Sequence, residues 1–158
     1  MKTTALKIAV SIIVVLITAI LVHFLSASNQ ATSDGTLRIT IVDDNGQTVF
    51  NGDVSYLEND SFYDVLQREF ELTCASSSYQ ADASCSYDFQ NFAYEGKILL
   101  GIANDDFSIQ TDWSNSFLAF ELFDGSDFYL ATQGVSRIEF SNQDQIRISV
   151  RSVSEGLS

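Results

Sequence analysis

Eighteen consecutive residues, IAVSIIVVLITAILVHFL from Ile8 to Leu25, contain only three polar side chains, Ser11, Thr18 and His23. That run sets the first 28 residues apart and decides the compartment in which the remainder must fold. Its length is at the lower end for a spanning helix and long for a signal-peptide core. Lys2 and Lys7 precede it, and Asp34 is the only charge that follows closely. The positive-inside rule then places the N-terminus inside and the domain outside. A retained single-span anchor is the favoured reading. A cleaved signal is the alternative, with Ser26 and Ser28 as an imperfect peptidase site. No cysteine follows the run, which argues against a lipoprotein anchor. Either way the domain is exported, held at the cell membrane or secreted if the segment is cut. His23, the only histidine, is expected at the membrane interface.

The chain divides into a membrane anchor or signal segment over 1–28, a polar tether over 29–35, a domain over 36–151 and a tail over 152–158. The part beyond the apolar run is long enough for one domain with a real core. From Asn29 onward stand 21 acidic against 6 basic residues, a net of −15. Such a surface repels phosphate backbones, so a nucleic-acid partner is not expected. With no proline anywhere, turns fall to Gly, Asn, Asp and Ser.

Thr36 to Val42, TLRITIV, alternates Leu37, Ile39 and Ile41 against polar residues, the pattern of a strand with one buried face. Asn45-Gly46 is a strong hairpin signal, and Gln47 to Leu57 returns as a second strand with a break expected at Asn51-Gly52. Asn59, Asp60 and Ser61 offer caps to a helix whose Phe62, Val65, Leu66 and Phe70 share one face. That helix is expected to end near Phe70 to Leu72. Further strands are expected at Ile98 to Ile102, Phe117 to Phe123, Phe128 to Leu130 and Gln145 to Val150. Hairpin, helix, then strands describe an α+β domain rich in antiparallel sheet with one packed helix. A β-grasp is the natural small architecture of that kind, with the first and last strands side by side at the centre.

Cys74 and Cys85 flank the polar stretch ASSSYQADAS. Outside the cytoplasm they are expected to pair as a structural disulfide. Zinc lacks further ligands nearby, and a redox pair is usually spaced more closely.

Several short motifs come in a telling order. They are Phe62-Tyr63-Asp64-Val65-Leu66, Gly96-Lys97-Ile98, Gly101-Ile102, Asp112-Trp113, Phe117-Leu118, Asp124-Gly125, Gly134-Val135-Ser136, Ile138, Phe140, and Asp144 with Ile146. From Thr36 to Val150 the chain resembles the C-terminal β-domain of transcobalamin and intrinsic factor, and the exported bacterial domains related to it. In the animal proteins that domain is one half of a clamp that holds cobalamin against a larger helical domain. The resemblance implies a non-catalytic, membrane-tethered binding module on a bacterial cell surface. Its ligand would be a small molecule, a corrinoid among the candidates, held or presented to a transporter component.

The residues themselves offer little to catalysis. The lone histidine sits in the apolar run, which removes a Ser-His-Asp arrangement and a cysteine nucleophile alike. No glycine loop of the phosphate-binding kind is present. Asp124 to Asp127 and Asn104 to Asp106 supply hard oxygen atoms, yet neither has the spacing of a calcium loop. They read as turns, and no cofactor or metal is expected.

One stretch stays open to two readings. In TDWSNSFLAFELFDG, Leu118, Phe120 and Leu122 belong to the core, while Phe117, Ala119, Glu121 and Phe123 form a mixed second face. In one reading Trp113 plugs the core edge, and Phe117 and Phe123 pack under the loop from Asp124 to Gly134. In the other, Trp113, Phe117, Tyr129, Gln133 and Gly134 line an exposed surface for a flat apolar ligand or another protein. A structural or adhesive domain that binds protein alone is the alternative function.

Overall fold

The computed structural model describes residues 11–18, 30–90 and 95–153. Residues 11–18 are helical (α1), with Ile12 to Ile17 exposed. Among the described residues no helix is long and apolar enough to cross a membrane. The rest of the run from Ile8 to Leu25, His23 included, lies outside the described residues, as do Ser26 and Ser28.

Strands β1 (Gly35–Val42) and β2 (Thr48–Tyr56) form the expected hairpin. At its turn Asp43 accepts the N–H groups of Asn45 and Gln47, and Gly46 takes a φ of +78°. Leu37, Ile39 and Ile41 are fully buried. The break expected at Asn51-Gly52 does not occur. Gly52 stays in register opposite Ile39, and the Phe50 ring folds over the space a side chain there would need.

Helix α2 (Phe62–Glu69) begins with a capping box: the Ser61 hydroxyl accepts the Asp64 N–H, and the Asp64 carboxylate accepts the Ser61 N–H. It ends a little before the expected limit because Phe70 is already extended, at φ −138°. Strand β3 (Glu71–Ala75) follows directly and belongs to a sheet that the sequence reading did not separate. This second sheet has the order β4-β3-β5-β6, with β4 Ala81–Asp82, β5 Leu99–Ala103 and β6 Ser108–Gln110. The first sheet adds β7 (Ser116–Phe123), β8 (Phe128–Leu130) and β9 (Gln145–Ser152) in the order β2-β1-β9-β7-β8. A 3-10 turn at Val135–Arg137 leads toward β9. The first and last strands lie side by side and pair in parallel, Ile39 opposite Ile146; the other strand pairings are antiparallel. The domain is α+β.

Both sheets and the helix share one core. Leu37, Phe62, Leu66, Leu99, Phe120 and Ile148 meet in it, and the Phe62 ring stands edge-on to Phe120 at 6.1 Å. A smaller apolar cluster of Ala75, Phe89, Ile98 and Leu100 lies apart, with Trp113 packed against it.

Residues of the expected tether contact the domain. Ala31 is buried in the main core, donates its N–H to the Asp60 carbonyl and accepts from Asn59. Asp34 accepts the Glu58 N–H. The end of the expected tether therefore packs as part of the domain. At the far end β9 runs to Ser152, and Val153 donates to the Asn115 carbonyl.

Cys74 and Cys85 form a disulfide, with Cα atoms 4.9 Å apart. Both half-cystines lie in the main core, so this loop is tied to the centre rather than hung outside it. Reduction is expected to cost about 2–3 kcal/mol, the chain-entropy value for so short a loop. Urea unfolding with and without reductant measures it, and an unchanged midpoint would contradict the structural role.

Candidate functional site

Strand β7 places four residues on the face of the first sheet away from the helix. Ala119 and Glu121 are buried there, whereas Phe117 and Phe123 are half-buried. Glu121 is only 2% exposed although it carries a charge. Arg147 Nε donates to its carboxylate at 2.6 Å, and Arg151 donates to the other oxygen from the same strand. The Arg147 guanidinium also covers the Phe128 ring at 4.3 Å. The mixed face thus holds an ion triad with the Phe128 ring against one of its guanidinium groups.

The opposite end of β7 borders a cleft of about 320 Å³. One wall is the β7 edge from Phe117 to Phe120, and a second is the segment Leu130 to Val135. Lys97, Ile98 and Leu99, entering β5, make the third, while Trp113 and Val153 close one end. Four of the five residues singled out from sequence, Trp113, Phe117, Gln133 and Gly134, meet here. Tyr129 does not. It stands on β8 opposite Leu122, 53% exposed, outside the lining. Ile98, Leu99 and Val135 were missed because they reach the cleft only when the two sheets come together.

Trp113 is held in place by its turn. Its φ is +61°, in the left-handed region that bulky side chains avoid. Asp112 pins the turn by accepting the N–H groups of Ser114, Asn115 and Ser116 and the Asn115 side-chain amide. Those bonds, led by that of the Asn115 backbone, hold the Asp112 carboxyl well below the usual carboxylate range. The indole is half-buried: it rests on the smaller apolar cluster and meets Phe117 edge-on at 6.1 Å. Trp113 thus packs on the smaller apolar cluster and also lines the cleft.

Gly134 lets the walls join. It donates its N–H to the Glu95 carbonyl, and Val135 donates to Lys97. A Cβ on Gly134 would fall 2.6 Å from the Gly96 carbonyl carbon and the Lys97 oxygen. These are backbone atoms with no free rotation to yield. Gly134→Ala is therefore expected to lower stability by about 1–3 kcal/mol, as overpacking does, and to spread the cleft. Thermal unfolding checks it, and an unaltered melting point would contradict the close approach.

Among the described residues Lys97 is the one ionisable member of the lining, and its ammonium is used elsewhere. It donates to the Cys85 carbonyl at 2.6 Å and lies over the Tyr63 ring. A second depression of about 460 Å³ is lined by Asp43, Asp44, Val49 and Phe107 among others. Asp43 is committed to its turn there. No family model matches the chain, and no curated protein does.

Two of the residues considered for metal, Asp124 and Asn104, are engaged in turns. Asp124 accepts from Ser126 and Asp127, and Asn104 accepts from Asp106 and Phe107. Among the described residues no three metal-ligating side chains converge. Asp82 follows the same pattern with Ser84 and Ser86, which lowers its pKa to about 2. A carboxylate whose folded pKa is depressed adds stability that is complete above its unfolded pKa of about 4 and lost as pH falls toward the folded value. Stability is expected to drop between about pH 4 and 2, and Asp82→Asn should flatten that slope. Denaturant midpoints across the range test it; equal slopes in both proteins would contradict the account.

Proposed function

We propose that this chain is a non-catalytic, membrane-tethered module working outside the cytoplasm, with its binding site in the cleft beside Trp113. The observation that carries the reading is the convergence of Trp113, Phe117, Gln133 and Gly134 on one apolar cleft. Its volume is at the lower end of the range for ligand sites. It fits a compact apolar molecule, or one edge of a larger one such as a corrinoid, held there or handed to a transporter component. The predominantly apolar lining supports a binding role. The central pairing of β1 with β9 supports a β-grasp architecture, and with it the resemblance to the transcobalamin and intrinsic factor β-domain.

A second reading, a domain that binds another protein, draws on the bare β7 edge within the cleft. Equilibrium dialysis of the full chain in lipid nanodiscs tests the first. The probes are cyanocobalamin and a panel of small aromatic and aliphatic compounds. Saturable retention that Phe117→Arg abolishes supports it, and no retention of any probe would sink it. Protease treatment of intact cells tests placement: a domain left uncut on intact cells but cut once they are opened would contradict the export.

A further inference from the structure

The cleft contains a length of strand edge without a strand partner among the described residues. β8 pairs with β7 only from Glu121 to Phe123, and the Ala131 N–H extends that contact to the Phe120 carbonyl at 2.7 Å. At the other end the Trp113 N–H donates to the Ser116 carbonyl at 2.9 Å. Leu118 stands between these two contacts. Alternate residues of a strand in an antiparallel ladder direct their backbone groups to the same side. The N–H and C=O of Leu118 therefore point as those of Phe120 do, away from β9 and into the cleft. Among the described residues no backbone bond from a turn or loop reaches either group. Leu118 packs in the main core, so the strand cannot roll to turn these groups elsewhere.

We infer that an extended polypeptide segment, cationic at its ends and apolar between, docks in the cleft by adding a strand beside Leu118. The inference rests on the cleft being the binding site and names its occupant. A donor and an acceptor on one residue, facing the same way, match the C=O and N–H of one residue in an antiparallel strand. Trp113 and Phe117 flank that point, and the cleft has room for an apolar side chain from the added strand. Charge then selects among polypeptides. A second copy of this chain would set −13 against −13, whereas a segment bearing Lys or Arg is drawn to the acidic surface.

The test uses the full chain in nanodiscs of zwitterionic lipid and a pooled library of lysine-flanked heptapeptides varied at three central positions. Trp113 fluorescence reports binding, and amide hydrogen exchange reports Leu118. The expected result is saturable binding by some members, with exchange slowed at Leu118. N-methylation at one central position should weaken such a peptide about tenfold, as loss of one backbone bond does, and glutamate flanks should weaken it too. Equal binding of every N-methylated form would overturn the inference. So would a Leu118 amide already protected in the free protein, or protection that grows with protein concentration alone. If small apolar compounds fill the cleft and no peptide binds, the cleft reading stands and the occupant is wrong. If neither binds, both fall.

Discussion

Replacing Arg147 and Arg151 together by methionine is expected to destabilise the domain by about 3 kcal/mol. That is the lower end of the cost of breaking a buried pair. Glu121 is buried, with its side chain 3% exposed, and both arginines reach it from β9. Their own side chains are 36% and 35% exposed, so water shares the interaction and the lower end applies. Methionine keeps most of the apolar stem over Phe128 but leaves the carboxylate buried without a partner. Either single replacement leaves one arginine in place and should cost less than half as much as the pair. Urea unfolding of the three variants measures the effect. A double variant as stable as the parent at neutral pH would contradict the account of the outer face.

Phe62→Ala is expected to cost about 3–5 kcal/mol, the range for emptying an aromatic site in a closed core. Phe62 is 0% exposed and opens helix α2. Its ring meets Phe120 of β7 at 6.1 Å and Phe140 at 5.9 Å. It therefore fastens the helix to the strand whose edge forms the cleft. Phe62→Leu refills part of the volume and should recover much of the loss. Should Phe62→Ala lower stability by less than about 1 kcal/mol, the packing of α2 on β7 would be wrong.

How far the sequence revealed this arrangement depended on the range over which each element is determined. The hairpin, the capped helix and the alternation in β1 and β9 are local patterns, and they were legible. The second sheet was not. Its β4 has two residues and β6 three, too short for alternation to stand out. Glu71-Leu72-Thr73-Cys74 does alternate, with Leu72 and Cys74 buried, but it directly follows a helix whose apolar spacing extends to Phe70. Glu121 looked out of place because its partners lie on another strand, at residues that read as solvent-facing. Trp113, Phe117, Gln133 and Gly134 could be grouped from their chemistry alone. Tyr129 could not be excluded, since a short strand gives no register without its neighbour. Ile98 and Leu99 could have been suspected from Gly96 and Gly134, the two glycines where the cleft walls touch.

The central claim is that the cleft beside Trp113 binds a ligand. Trp113 is the only tryptophan in the chain, so its emission reports that site without ambiguity. The most direct measurement is a fluorescence titration of the full chain in nanodiscs with corrinoids, small apolar compounds and the peptide library. The account predicts a saturable change for at least one class, lost in a folded Phe117→Arg variant. A silent titration across all three, with emission already blue-shifted and inaccessible to a soluble quencher, would make Trp113 a core residue and contradict the claim.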